Sequence, residues 1–130
     1  MLELTRALFA ELATALGIPA LTPDANGGIQ LTIGADTNVV LFGENDITLL
    51  LVAPVAALPR APDYGTMAWL FGRNFYTSDL APFRIACDEA GTLVIWGRIP
   101  VDGLSGTQLA GLVDAVASEA GRIREAVAEE

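Results

Sequence analysis

Apolar positions recur every four residues at the start of the chain. Leu4, Leu8, Leu12 and Leu16, with Ala7 and Ala15 beside them, predict an opening helix. Glu3 falls in its first turn, where negative charge complements the helix dipole. The stop is Gly17-Ile18-Pro19: left-handed backbone at Gly17, an apolar contact from Ile18, and no continuation past Pro19. Pro23-Asp24-Ala25-Asn26-Gly27-Gly28 is turn chemistry. The period then drops to two. Ile29, Leu31 and Ile33 alternate with Gln30 and Thr32, which predicts a strand with one apolar face. Gly34-Ala35-Asp36-Thr37 turns into a second strand at 38–42, and Gly43-Glu44-Asn45-Asp46 into a third at 47–55. Links this short imply antiparallel hairpins.

Pro54, Pro59 and Pro62 mark a connection around Arg60. A second helix is predicted over 63–75, with Met67, Leu70, Phe71, Asn74 and Phe75 on one side and Gly72 weakening it. Strands at 83–88 and 93–99 follow, joined by Asp88-Glu89-Ala90-Gly91. Ser105 and Gln108 have the spacing of a capping box, and Leu104 and Leu109 that of a hydrophobic staple. They open a last helix with a stripe of Leu109, Leu112, Val113, Val116, Ala120, Ile123 and Val127. The order α-β-β-β-α-β-β-α reads as one α+β domain over residues 1–130, an antiparallel sheet with helices packed on it.

A sheet covered by helices on one side alternates apolar and polar residues. The first strand obeys and the later ones do not. If Val39, Leu41, Leu49, Leu51, Leu93 and Ile95 face inward, then Val40, Phe42, Leu50, Val52, Val94 and Trp96 form a second apolar set on the other face. Fully buried, six such side chains are worth on the order of 10 kcal/mol, as much as a whole domain's net stability. Helices over both faces, a homodimer, or a groove for an apolar segment of another polypeptide would each account for them.

Composition narrows the chemistry. The 130 residues carry 7 basic and 16 acidic side chains, a net charge of −9, and every basic residue is Arg. Phosphate binding needs clustered cations, so nucleic acid is not an expected partner. With no His and no Lys, there is no Ser-His-Asp triad, no imidazole ligand, no Schiff base and no P-loop. The longest apolar run, residues 47–58, is shorter than the ~20 residues of a membrane span. The chain also lacks the pattern of a signal peptide, and no membrane insertion is expected. Cys87 is the one cysteine, which suits a reducing compartment, the cytosol. It has no CxxC partner and reads as a small apolar strand residue. Glu44, Asp46, Asp88 and Glu89 read as solvated turn residues, and Glu119, Glu125, Glu129 and Glu130 as a solvated helix face and tail. Trp69 and Arg73, four apart, form a candidate cation–π pair. No catalytic residue, metal site or cofactor is expected, and the chain is not read as an enzyme.

Several local motifs resemble, in order and over nearly the whole chain, the class I type III secretion chaperones of the Tir chaperone family. Residues 12–21 are similar to that family's helix exit, and 24–31 to its entry into the first strand. Leu49-Leu50-Leu51-Val52-Ala53-Pro54-Val55 resembles its third strand, Leu70-Phe71-Gly72-Arg73-Asn74-Phe75 the end of its second helix, and residues 88–94 its last hairpin. The 76–82 link departs from the usual Gly-rich one. The resemblance implies a cytoplasmic homodimer without ATPase activity. It would bind the N-terminal segment of a secreted effector in extended form and keep it competent for export. A regulatory relative, sequestering a component of the secretion circuit that controls transcription, is the alternative. The family's dimer contact carries onto Met67, Leu70, Phe71, Phe75, Arg84, Ile85 and Cys87, and its effector grooves fit Val40, Phe42, Leu50, Val52, Val94 and Trp96.

Overall fold

In the computed structural model, residues 3–19, 21, 23, 27–34, 36–45, 47–75 and 78–128 are described. The expected roles of Asp24, Ala25, Asn26, Ala35, Asp46, Tyr76, Thr77, Glu129 and Glu130, and of the side chains of Glu3 and Leu4, lie outside that set. The opening pattern folds as α1 (Glu3–Leu16). Its stop is a Schellman motif. Gly17 has φ +69, its N–H donates to Thr14 O, and Ile18 N–H donates to Ala13 O, each at 3.1 Å. The buried stripe is Thr5, Leu8, Phe9, Leu12 and Ala13. Ala7 and Ala15, expected beside the leucines, face solvent instead, because Phe9 and Ala13 fill that side of the stripe.

Five strands follow the expected order: β1 (Gly28–Ile33), β2 (Thr37–Gly43), β3 (Thr48–Ala57), β4 (Arg84–Cys87) and β5 (Thr92–Pro100). They form one antiparallel sheet ordered β1-β2-β3-β5-β4. The β4–β5 turn closes on Asp88, whose carboxylate accepts from Ala90 N and Thr92 N at 2.9 Å, with Gly91 at φ +84. Pro54 is tolerated within β3 because β2 pairs only as far as Val52. Past that point Val55 O accepts instead from Arg124 Nε at 3.1 Å.

Two more helices complete the chain: α2 (Tyr64–Arg73) and α3 (Gly106–Ala128). α2 is capped by Asp63, which accepts from Thr66 N at 2.7 Å. α3 opens on the expected capping box. Ser105 Oγ accepts from Gln108 N at 3.1 Å, and Gln108 Oε1 from Ser105 N at 2.9 Å. Leu109, Val113, Val116, Ala120, Ile123 and Val127 are buried, and Leu112 is half-buried beside them. With α1, this stripe covers the sheet face carrying Ile29, Leu31, Val39, Leu41, Leu49, Leu51, Ile95 and Ile99. The core is therefore one layer of helix on one face of the sheet.

α1 and α3 meet at a glycine. A Cβ on Gly106 would lie 2.4 Å from the Glu11 backbone carbon, so only Gly lets the two backbones approach this closely. Glu11 Oε1 also accepts from Gly106 N at 3.0 Å, placing a carboxylate at the positive end of α3.

Candidate functional site

Strand alternation sends every second side chain to the face that α1 and α3 do not cover. The pairing register aligns these side chains into rungs. One rung runs Gln30, Val40, Val52, Trp96 and Arg84 across all five strands. The next holds Phe42, Leu50 and Arg98, and the one on the other side holds Pro54, Val94 and Ala86. The six residues of the second apolar set, Val40, Phe42, Leu50, Val52, Val94 and Trp96, thus form one contiguous patch. All six are half-buried while their strand neighbours Val39, Leu41, Leu49, Leu51, Leu93 and Ile95 are fully buried. No helix of the described residues covers them.

Cations edge this patch. Arg98 lies over the Trp96 ring, its guanidinium carbon 5.4 Å from the ring centroid. Its charge is matched by Glu44, with Nε to Oε1 at 2.7 Å and Nη2 to Oε2 at 3.3 Å. Arg84 stands directly across from Trp96 on β4.

The stripe expected on the second helix divides between two sides. Met67 packs against the core, Leu70 is in it at 5% exposure, and Asn74 turns toward β4. Phe71 and Phe75 point outward at 67% and 56%, in line with exposed Tyr64 and Ala68. Spacings of three and four fit both sides, because this short helix is apolar nearly all round. Of the residues carried over as a dimer contact, Leu70 and Ile85 are therefore buried beneath the surface. Alternation along β4 turns Arg84 to the open face, and Cys87 is exposed at the strand's end. Cys87 donates only weakly, Sγ to Asp88 O at 3.6 Å.

Two polar devices hold α2 in place, and neither was expected from the sequence. Asn74 pairs with the outer edge of β4 as a strand would. Its Nδ2 donates to Ile85 O at 2.8 Å, and its Oδ1 accepts from Ile85 N at 2.6 Å. Glu119, expected on a solvated face, is 1% exposed. Its carboxylate accepts from Arg73 Nε at 2.6 Å, Arg73 Nη2 at 3.0 Å and Arg122 Nη1 at 2.9 Å. The signal was present: Glu119 falls three after Val116 and four before Ile123, on the buried stripe itself. Arg73 also binds Asp79 at 2.9 Å. These bonds hold the Asp79 carboxyl below its ordinary value and raise Arg73, chiefly through Glu119. Arg73 lies 6.0 Å from the Trp69 ring centroid, so the expected cation–π pair is present but secondary to the carboxylates.

The cleft around this network is lined by Arg73, Asp79, Phe83, Glu119 and Arg122. Its charges satisfy one another, which suits a structural role. Among the described residues no group of His, Cys, Asp and Glu could hold a metal ion, and no helix is long and apolar enough to cross a membrane. The chemistry available to the open face is recognition: apolar burial and two guanidinium groups.

Residues 7–124 match the sequence model of the Tir chaperone protein (CesT) family. No curated protein matches the chain. Among solved structures, a chain of the Yersinia pestis type III secretion chaperone SycH in complex with a stable fragment of YscM2 is 22% identical. The likeness covers 91% of this chain and 98% of that one, with a TM-score of 0.78. A chain of the heterodimeric ExoU–SpcU complex from the type III secretion system of Pseudomonas aeruginosa is also 22% identical, covering 95% and 99%, with a TM-score of 0.79. A chain of the ExsC–ExsE complex is 21% identical, covering 95% and 92%, with a TM-score of 0.75.

Proposed function

Because this chain belongs to the Tir chaperone protein (CesT) family, we propose that it is a cytoplasmic type III secretion chaperone. It binds the N-terminal segment of a secreted effector in extended form and keeps that segment competent for export. It acts by binding alone, without catalysis, metal or cofactor, and the whole chain serves as one unit.

The observation that carries this reading is the open sheet face. Val40, Phe42, Leu50, Val52, Val94 and Trp96 lie side by side and half-buried, with no helix of the described residues over them. A segment that orders on binding loses conformational entropy, and burial against this patch compensates. Main-chain pairing at a sheet edge adds affinity, and pockets for alternate side chains add selectivity. The working form is a homodimer through the outward side of α2, where Phe71 and Phe75 stand exposed, together with exposed Cys87, and with Met67, Leu70 and Ile85 as the support on the core side. The net charge of −9 keeps such an apolar dimer soluble.

The test is a pull-down from the native cytosol, followed by limited proteolysis of what co-purifies. The expected result is a protein trimmed to a protected N-terminal stretch on a chaperone dimer. Trp96→Glu and Phe42→Glu lose it while remaining folded dimers. Retention of the partner by both variants would show that the open face is not the groove. Recovery of a folded, protease-resistant regulator would favour the regulatory alternative.

A further inference from the structure

We propose that the segment bound on the open face carries an acidic side chain, set between its apolar residues, which pairs with Arg84. The inference rests on the reading of that face as the client groove and adds the charge of the client at one place.

It begins with the seven arginines. Arg73 and Arg122 are paired with Glu119, Arg98 with Glu44, and Arg124 with Asp36. Arg6 and Arg60 are exposed to water. Arg84 alone is half-buried without a carboxylate among the described residues, in a chain that holds sixteen of them. Its Nη1 donates to the carbonyl of Phe83 at 3.0 Å, and among the described residues the rest of its fork of donors stays open. Position gives this meaning. Arg84 closes the rung Val40, Val52, Trp96, so an extended segment that seats an apolar side chain by Trp96 passes within reach of the guanidinium. Arg98, on the other side of Trp96, is already neutralised by Glu44. An Arg fork matches a carboxylate in two-point geometry, and partial burial strengthens the pair.

The test selects a displayed library of random sixteen-residue peptides on the purified protein and on its Arg84→Glu, Arg60→Glu and Trp96→Glu variants. On the unaltered protein and on Arg60→Glu, the enriched peptides alternate apolar residues around one fixed Asp or Glu. On Arg84→Glu that position changes to Lys or Arg. A synthetic enriched peptide loses about three- to tenfold in affinity on Arg84→Gln, by fluorescence anisotropy, and its Glu→Gln counterpart loses nothing further. Apolar peptides enriched without an acidic position, or an acidic position that survives Arg84→Glu, overturn the proposal and leave the proposed function standing. Dissociation of the dimer by Arg84→Gln with unchanged peptide selectivity places Arg84 between copies and overturns it as well. Enrichment no better than on Trp96→Glu overturns the groove reading itself, and the proposal with it.

Discussion

Glu119 holds a carboxylate in the core because three guanidinium N–H donors reach it. Of its partners Arg122 is 60% exposed and Arg73 also pairs with Asp79, so replacing Glu119 forfeits charge-assisted hydrogen bonds made in the core rather than stranding buried cations. Glu119→Gln is expected to lower unfolding stability by about 1.5–3 kcal/mol, measured by urea denaturation. Asp79 adds a pH dependence. Its folded pKa is depressed by Arg73, so its contribution is present above the unfolded value and lost as pH falls through the folded one. The stability gap between the native chain and Asp79→Asn should be open at pH 7 and narrow as pH falls below the ordinary carboxylate value of 3.8, closing once the depressed folded value is passed. Gly106 is a different kind of single-residue constraint. A methyl group there meets Glu11 backbone at 2.4 Å and cannot be accommodated by a rotamer change. Gly106→Ala should cost about 3 kcal/mol despite the better helix propensity of Ala, again read by urea midpoints. The sequence marks Glu119 as charged and Gly106 as small, but not that a guanidinium from α2 and a crossing helix come to meet them. Those are long-range facts.

Elements were the most legible level, because their signals are local. The Schellman exit at Gly17, the capping box at Ser105 and the turn on Asp88 were each readable from a few adjacent residues. α2 was read less well. Its apolar residues surround the helix, and a period of 3.6 cannot choose a side when both sides qualify. What chooses is Asn74, whose amide bonds to β4 across eleven positions of sequence and fixes which side of α2 faces inward. The second apolar set on the sheet was legible from strand alternation alone, whereas the placement of Arg84 at its end needed the β4–β5 register. Asn74→Ala should cost about 2 kcal/mol, since it leaves both a backbone donor and an acceptor of Ile85 unmet. Amide exchange at Ile85 should accelerate more than at Ile95, which is measurable by NMR.

At the scale of the whole molecule, one sheet face is committed to the core and the other is left apolar and open. The outward aromatic side of α2, with Tyr64, Phe71 and Phe75 exposed, is a second apolar surface on a different element from the first. This separation predicts that the two can be damaged independently. Phe71→Glu should yield a folded monomer by sedimentation equilibrium, with near-native circular dichroism, while Trp96→Glu should leave the dimer intact. The Asn74 amide has a consequence at this scale too. A terminal strand exposes hydrogen-bonding groups that invite further strands from other copies. By occupying both groups of Ile85, one side chain blocks the middle of that short edge to a further strand. With the proposed dimer contact on α2, chains meet there helix to helix rather than strand to strand, and the expected association is a closed pair instead of a fibre.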